Sequence, residues 1–124
     1  MRFYTPSQTA EETGFSLDTL RYYERIGLVY CIDRTAGGRR RYSETDLQWL
    51  RMLRCLRDTG MPIAEMVRFT ELTRDGSDTV PQRLALLEEH DERIEREIAG
   101  LRERQAHIRR KISTYRALAD ERQP

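Results

Sequence analysis

Lysine is nearly missing from this chain. Among its 124 residues only Lys111 is one, so the 22 basic side chains are almost all arginine. A planar guanidinium grips phosphate oxygens or a base edge with two parallel hydrogen bonds, which an ammonium cannot do. A genome rich in GC codons also favours arginine, so position rather than number must carry a functional reading. Cysteine is scarce as well. Cys31 and Cys55 have no metal-motif spacing and do not make a disulfide framework, so a reducing cytosol is the expected compartment. His90 and His107 lie seventeen residues apart, too far to share a metal ion within one subunit. No metal site and no cofactor is expected. Acids spread along a solvated helix offer no catalytic pocket either, so an enzyme is not expected. No apolar run is long enough to span a membrane, and no signal peptide is expected. The net charge of +1 says little about partners by itself.

Charge is plentiful even though it cancels. Charged residues make up 35% and hydrophobic residues 38% of the chain. That is a high charge content for a compact monomer of this size, and it points to a thin, surface-rich element such as a long helix. Four segments are expected: a head over 1–72, a polar linker over 73–79, a long helix over 80–119 and a tail over 120–124.

In the head, Thr5 and Pro6 suit the cap and first position of a short helix ending before Gly14. Ser16 caps a second helix carrying Leu17, Leu20 and Ile26, within which lies "LRYYERIGL". Helix, tight turn and helix make a helix-turn-helix spacing, whose second helix enters the major groove. Val29, Tyr30 and Ile32 favour a strand, Gly37 and Gly38 a turn, and Arg39 to Tyr42 a returning strand, which together form a candidate wing. Ser43 with Asp46 resembles a capping box. It opens a helix with Leu47, Leu50, Leu53 and Leu56 on its apolar side. Pro62 starts a shorter helix through Ile63, Met66, Val67 and Leu72.

The long helix carries a heptad. One seam row holds Leu84, Asp91, Ile98, Gln105, Ile112 and Ala119, the other Leu87, Ile94, Leu101, Ile108 and Tyr115. A stripe of that length needs a partner helix, and no second helix of comparable length exists in the chain, so a homodimer is expected. Glu88 to Glu97 is strongly acidic and Arg104 to Arg116 wholly basic. An antiparallel pair sets acid against base, with Ile98 facing the partner helix at Leu101, Leu87 at Ile112 and Leu84 at Tyr115. Asp91 then meets Ile108 and Ile94 meets Gln105, at some cost in stability. Helices on the order of 60 Å long, at about 1.5 Å per residue, would hold two heads at the fixed spacing that a two-fold symmetric DNA site requires.

The residues expected to meet double-stranded DNA follow from this plan. Arg39, Arg40 and Arg41 surround the wing turn, and Arg51, Arg54 and Arg57 follow on the next helix. Only Glu44 and Asp46 oppose them between Gly37 and Arg57. Such a local excess suits a phosphate-binding face. Ser16, Asp18 and Thr19 open the second helix, where base edges are reached. Thr19 is placed to touch a thymine methyl or a base edge, whereas Asp18 would repel phosphate unless paired with an arginine. Of Tyr22 and Tyr23, one can pack in the core while the other donates its hydroxyl to a phosphate.

The run "TLRYYERIGLV" followed by "RTAGGRRRYSETDLQWLRMLRCLRDTGMPIAEM" resembles the MerR family of bacterial transcription regulators, and the long terminal helix completes the likeness. The resemblance implies a mostly α-helical fold, a winged helix-turn-helix head and a dimer joined by an antiparallel coiled coil. It also implies binding to palindromic operators between promoter elements set unusually far apart, with DNA distorted and underwound for RNA polymerase. On the motif, Thr19, Arg21, Tyr22 and Tyr23 fall on the DNA-facing helix, and Arg40 and Tyr42 on wing positions. Arg39 stands where many relatives have an aromatic residue, and Tyr30 with Cys31 replaces a stretch often rich in proline. Metal-responsive members carry cysteines at the start of the long helix, where this chain has Val80. "LRCLRDTGM", "FTELTRDGSDTVPQRLALLEEH" and "KISTY" resemble the aldehyde and electrophile-stress regulators, in which a cysteine at the position of Cys55 is associated with sensing. Two readings of Cys55 stay open: a thiol activated by Arg54 and Arg57, or a small side chain filling core space near Met52 and Leu56. Cys31 is the weaker candidate. Against a regulator stand two other readings, a non-sensing repressor and a coiled-coil adaptor for a protein partner.

Overall fold

The computed structural model describes residues 2–122. The elements run β1 (Phe3–Tyr4), α1 (Pro6–Thr13), α2 (Leu17–Arg25), β2 (Asp33–Arg34), β3 (Arg40–Ser43), α3 (Glu44–Asp58), α4 (Ile63–Arg74), a 3-10 turn (Ser77–Thr79) and α5 (Val80–Arg122). The fold is mostly helical, with a helix-turn-helix at the start and one long helix at the end. By contacts the chain divides into two units, one ending at Leu86 and the next beginning at Leu87.

The first unit is built on local signals. Thr5 Oγ1 accepts from the Gln8 amide at 3.1 Å and the Gln8 side chain accepts from the Thr5 amide at 3.0 Å, a full capping box with Pro6 just inside. Helix α1 stops at Gly14, whose φ of 78° is left-handed. A Cβ at Gly14 would also fall 1.4 Å from Arg54 Nη1, so any side chain there must displace the Arg54 guanidinium. Ser43 and Asp46 complete the capping box of α3. Leu47, Leu50, Leu53 and Leu56 are all buried, and they form the centre of a core shared with Phe15, Leu20, Leu28, Met66 and Phe69. Trp49 lies on this core's edge. Its ring stacks on Phe69 at 5.8 Å and its Nε1 donates to the Leu28 carbonyl at 2.8 Å.

Two expectations are corrected here. The strand expected over Val29, Tyr30 and Ile32 is absent, and β2 covers only Asp33–Arg34. The Leu28 and Val29 amides instead fold back onto the Tyr23 carbonyl, at 2.9 and 3.3 Å, and bury both side chains as the end of α2. Cys31 then takes φ 57°, which turns the chain before it can extend. The hairpin is also a three-stranded sheet. Strand β3 pairs antiparallel with β2 (Asp33↔Arg41, Arg34↔Arg40) and with β1 (Phe3↔Ser43, Tyr4↔Tyr42). A two-residue strand has no alternation to read, so β1 left no trace in the sequence.

Thr73 and Arg74 belong to α4, and Ser77–Thr79 form the 3-10 turn, so much of the stretch 73–79 is structured. Helix α5 begins at Val80 and continues to Arg122, which takes in Asp120, Glu121 and Arg122 of the expected tail; Gln123 and Pro124 lie outside the described residues. Along it Leu84, Leu101, Ile108, Ile112 and Tyr115 stand exposed, by 43% to 62%, while Leu87, Ile94 and Ile98 are half-buried.

Candidate nucleic-acid interface

Helix α2 presents one side to solvent. Ser16 is occupied as its cap. Its Oγ accepts from the Thr19 amide at 3.1 Å and donates to Thr19 Oγ1 at 2.9 Å. That leaves the Thr19 hydroxyl proton for an outside partner, on a residue that is half-buried. Asp18 and Arg21 pair at 3.5 Å while remaining 95% and 65% exposed. The acid thus has the arginine it needed, and so exposed a pair yields readily to a phosphate.

The two tyrosines part company. Tyr22 is exposed, with the Arg25 guanidinium 5.6 Å from its ring centre. Tyr23 is 3% exposed and meets Phe15 edge-on at 5.3 Å. Successive helical residues lie about 100° apart, which turns Tyr23 toward Phe15 while Tyr22 stays on the solvent side. Tyr23 is therefore a core residue, which corrects its expected place on the DNA-facing side.

The wing shows a similar division. Its turn closes by Gly38 N–H to the Thr35 carbonyl at 2.9 Å and Thr35 N–H to the Arg39 carbonyl at 2.8 Å. Gly38 stands at φ 82°, a conformation that requires glycine. Arg39 is exposed and has no ion pair among the described residues. Arg40 turns inward, its Nε 2.5 Å from Glu24 Oε2 on α2. Arg41 pairs with Asp33 at 2.7 Å and lies 4.1 Å over the Phe3 ring. The Asp33 carboxyl is held below the usual range by the Arg41 hydrogen bond and next by the Arg34 amide. Tyr42 is 2% exposed, and burial, reinforced by the Glu24 charge, pushes its hydroxyl pKa up. Tyr42 is thus a second expected DNA residue that belongs to the core.

The run of arginines on α3 is corrected too. Arg51 lies 3.5 Å from Glu12 and 4.0 Å from Glu44. Arg54 donates to the Thr13 carbonyl at 2.7 Å and to Asp58 at 3.2 Å. Arg57 reaches Asp58 at 3.1 Å and covers the Phe15 ring at 4.9 Å. These three are engaged within the head, and the positive excess counted along the sequence is offset by Glu12 from α1 and by Glu44 and Asp58 on α3 itself.

One contributor was missed. Arg34 is exposed beside the wing turn and donates to the Gly38 carbonyl at 2.8 Å. It lines a cleft of about 730 Å³ with Arg39, Arg40, Arg41 and the start of α1 at Thr5, Pro6 and Ser7. The α1 amides give that wall a partial positive charge. The signal available in the sequence was its position as the mirror of Arg40 across the glycine turn.

Cys55 is exposed on α3, so it does not fill core space. Its flanking arginines both engage Asp58, whose carboxyl they hold below the usual range, Arg54 more than Arg57. Cys31 is also exposed. Among the described residues no cluster of His, Cys, Asp and Glu has the makings of a metal site, and no helix is long and apolar enough to cross a membrane.

Comparison with known proteins gives concordant matches. The family model described as MerR HTH family regulatory protein matches residues 4–71, and a second, described as MerR, DNA binding, matches residues 47–111. An uncharacterised HTH-type transcriptional regulator of Haemophilus influenzae is 38% identical over 112 residues, 90% of this chain and 83% of that protein. The HTH-type transcriptional regulator AdhR of Bacillus subtilis is 35% identical over 88 residues, 71% of this chain and 63% of that protein. The structure of HiNmlR, described as a MerR family regulator lacking the sensor domain and bound to promoter DNA, is 36% identical with a TM-score of 0.86, over 96% of this chain and 94% of that one. Proteins named for heavy-metal dependence and for nodulation also match, so likeness alone singles out no signal.

Proposed function

Because the chain belongs to the MerR family of DNA-binding transcription regulators, and is not an enzyme, we propose that it binds a palindromic promoter operator as a homodimer and changes the shape of that DNA for RNA polymerase. The observation that carries this reading is a single head that exposes Arg21 and Tyr22 on α2, beside a half-buried Thr19, together with Arg34 and Arg39 on the wing. Thr19 meets a base edge. Arg21, Tyr22, Arg34 and Arg39 hold phosphates, which fixes register and makes binding salt-dependent. The exposed apolar stripe of α5 at Leu84, Leu101, Ile108, Ile112 and Tyr115 is the seam for a second copy, with Leu87, Ile94 and Ile98 continuing it. The HiNmlR complex with promoter DNA, at 36% identity, supports the choice of ligand.

The signal is a small electrophile such as an aldehyde, taken by Cys55. Its thiolate sulfur adds to the carbonyl carbon while the C=O π pair moves to oxygen and takes a proton, leaving a reversible hemithioacetal. Exposure of Cys55 on α3 makes that attack possible. A second reading, a repressor that senses nothing, is favoured by one observation: Arg54 and Arg57 are committed to Asp58, which offsets the positive field that would activate the thiol.

The test is footprinting of the purified chain on the DNA upstream of its own gene, under reducing conditions and then with a small aldehyde. The expected result is a protected palindrome in both, with distortion at its centre only after treatment and not with Cys55→Ala. Binding that ignores sequence overturns the operator reading. A centre that ignores the aldehyde, or still responds in Cys55→Ala, overturns the sensor.

A further inference from the structure

A carboxylate on a DNA-facing helix needs a reason, since it repels the phosphates the helix must approach. Glu24 is such a group. It lies in the last turn of α2, where the helix dipole also disfavours an acid. Its local setting therefore argues twice against it, and only a tertiary partner accounts for it. That partner is Arg40 at 2.5 Å, from the wing. The side chains are only 26% and 35% exposed, and both contacting atoms are closed off from water with no hydrogen-bond partner among the described residues. The contact is one of charge; its angle is off the N–H line.

The wing needs such a tie. Strand β2 gives β3 only two residue pairs, Asp33↔Arg41 and Arg34↔Arg40, too few to hold a hairpin by themselves. Arg41 fastens one side of β3 to Asp33 and Phe3. Arg40, pointing to the opposite face of the strand, fastens the other side to α2. Between them the turn at Thr35 to Gly38 carries Arg34 and Arg39 into solvent.

We infer that Glu24 is a positioning residue for DNA binding: through Arg40 it sets the place of the wing-tip arginines relative to the groove-facing side of α2. Arg40 then acts as a brace rather than as a phosphate contact. The inference rests on the DNA-binding reading above for its consequence, though not for the brace itself.

Charge alone and bracing predict opposite signs. Replacing Glu24 by glutamine removes a negative charge near the DNA, which by charge alone tightens binding. Loss of the brace weakens it. The experiment uses the full chain in three variants, Glu24→Gln, Arg40→Gln and the double variant, with thermal unfolding to confirm that each is folded. Amide exchange over residues 35–41 is measured in the free protein, and affinity is measured on a duplex carrying the footprinted palindrome. The expected result is faster wing exchange in all three and affinity about tenfold weaker for Glu24→Gln, with the double variant no worse than Arg40→Gln alone. Hydroxyl-radical protection should fade at the wing-proximal flanks and persist under α2. Unchanged wing exchange overturns the brace whatever the DNA does. So does Glu24→Gln binding as tightly as the parent or tighter, or losses that simply multiply. Failure of the parent chain to prefer any palindrome would strike the function reading instead, and wing exchange would still judge the brace.

Discussion

Thr19 has its hydroxyl oxygen engaged by Ser16 and stands half-buried in the first turn of α2, so its expected role is to read a base. Thr19→Ala should therefore change the ranking of operator variants by roughly 1 kcal/mol at one position and leave non-specific binding alone. Equal loss on every duplex in a titration series would remove that role. Gly14 is a residue of the opposite kind, set by backbone and space. Gly14→Ala forces a side chain into a left-handed φ of 78° and displaces Arg54 from the Thr13 carbonyl. A loss of about 2 kcal/mol in urea unfolding is expected. Asp58 adds a pH dependence. Its folded carboxyl titrates below the ordinary value of 3.8, held there by Arg54 and then Arg57. The contribution is complete above 3.8 and disappears as pH falls through the folded value. Acid-unfolding curves of Asp58→Asn should accordingly lose less stability below pH 3.8 than the parent does.

At the scale of elements, the caps and the leucine ladder were legible because their partners are four residues or fewer apart. Ser43 and Asp46, Thr5 and Pro6, and the row Leu47 to Leu56 lie inside one helix or at its edge. Leu50, fully buried within that row, should cost about 3 kcal/mol as Leu50→Ala, read by thermal or urea unfolding. The wing was legible as a turn and a basic strand but not as a sheet. Its third strand comes from Phe3 and Tyr4, some forty residues away along the chain. The strand expected at Val29 was lost to a competing use of the same residues, which close α2 onto the core. Of the tyrosine pair, both were expected on the DNA-facing side with the packing of one in the core left open; contact with Phe15 takes Tyr23 inward.

For the whole molecule, the consequential feature is an apolar stripe that one copy leaves exposed. Replacing Leu101 and Ile108 together by aspartate should shift sedimentation to a monomer and abolish binding to a full palindrome, while the head's weak binding to a half-site survives. Charge reversal at Glu88, Glu92 and Glu95 should loosen the dimer less, since exposed pairs are individually weak. An unchanged dimer constant would defeat the antiparallel charge pattern.

Local and periodic properties were set by the sequence alone: where helices begin and stop, which leucines face inward, and that a heptad runs through the long helix. Each depends on neighbours within about two turns. Tertiary structure decided which arginines remain available for DNA. Arg40 and Arg54 are spoken for by Glu24 and Thr13, sixteen and forty-one residues away, whereas Arg34 and Arg39 stay open to solvent. Charge acts through space, and a count along the chain cannot see an acid that folding brings beside a base.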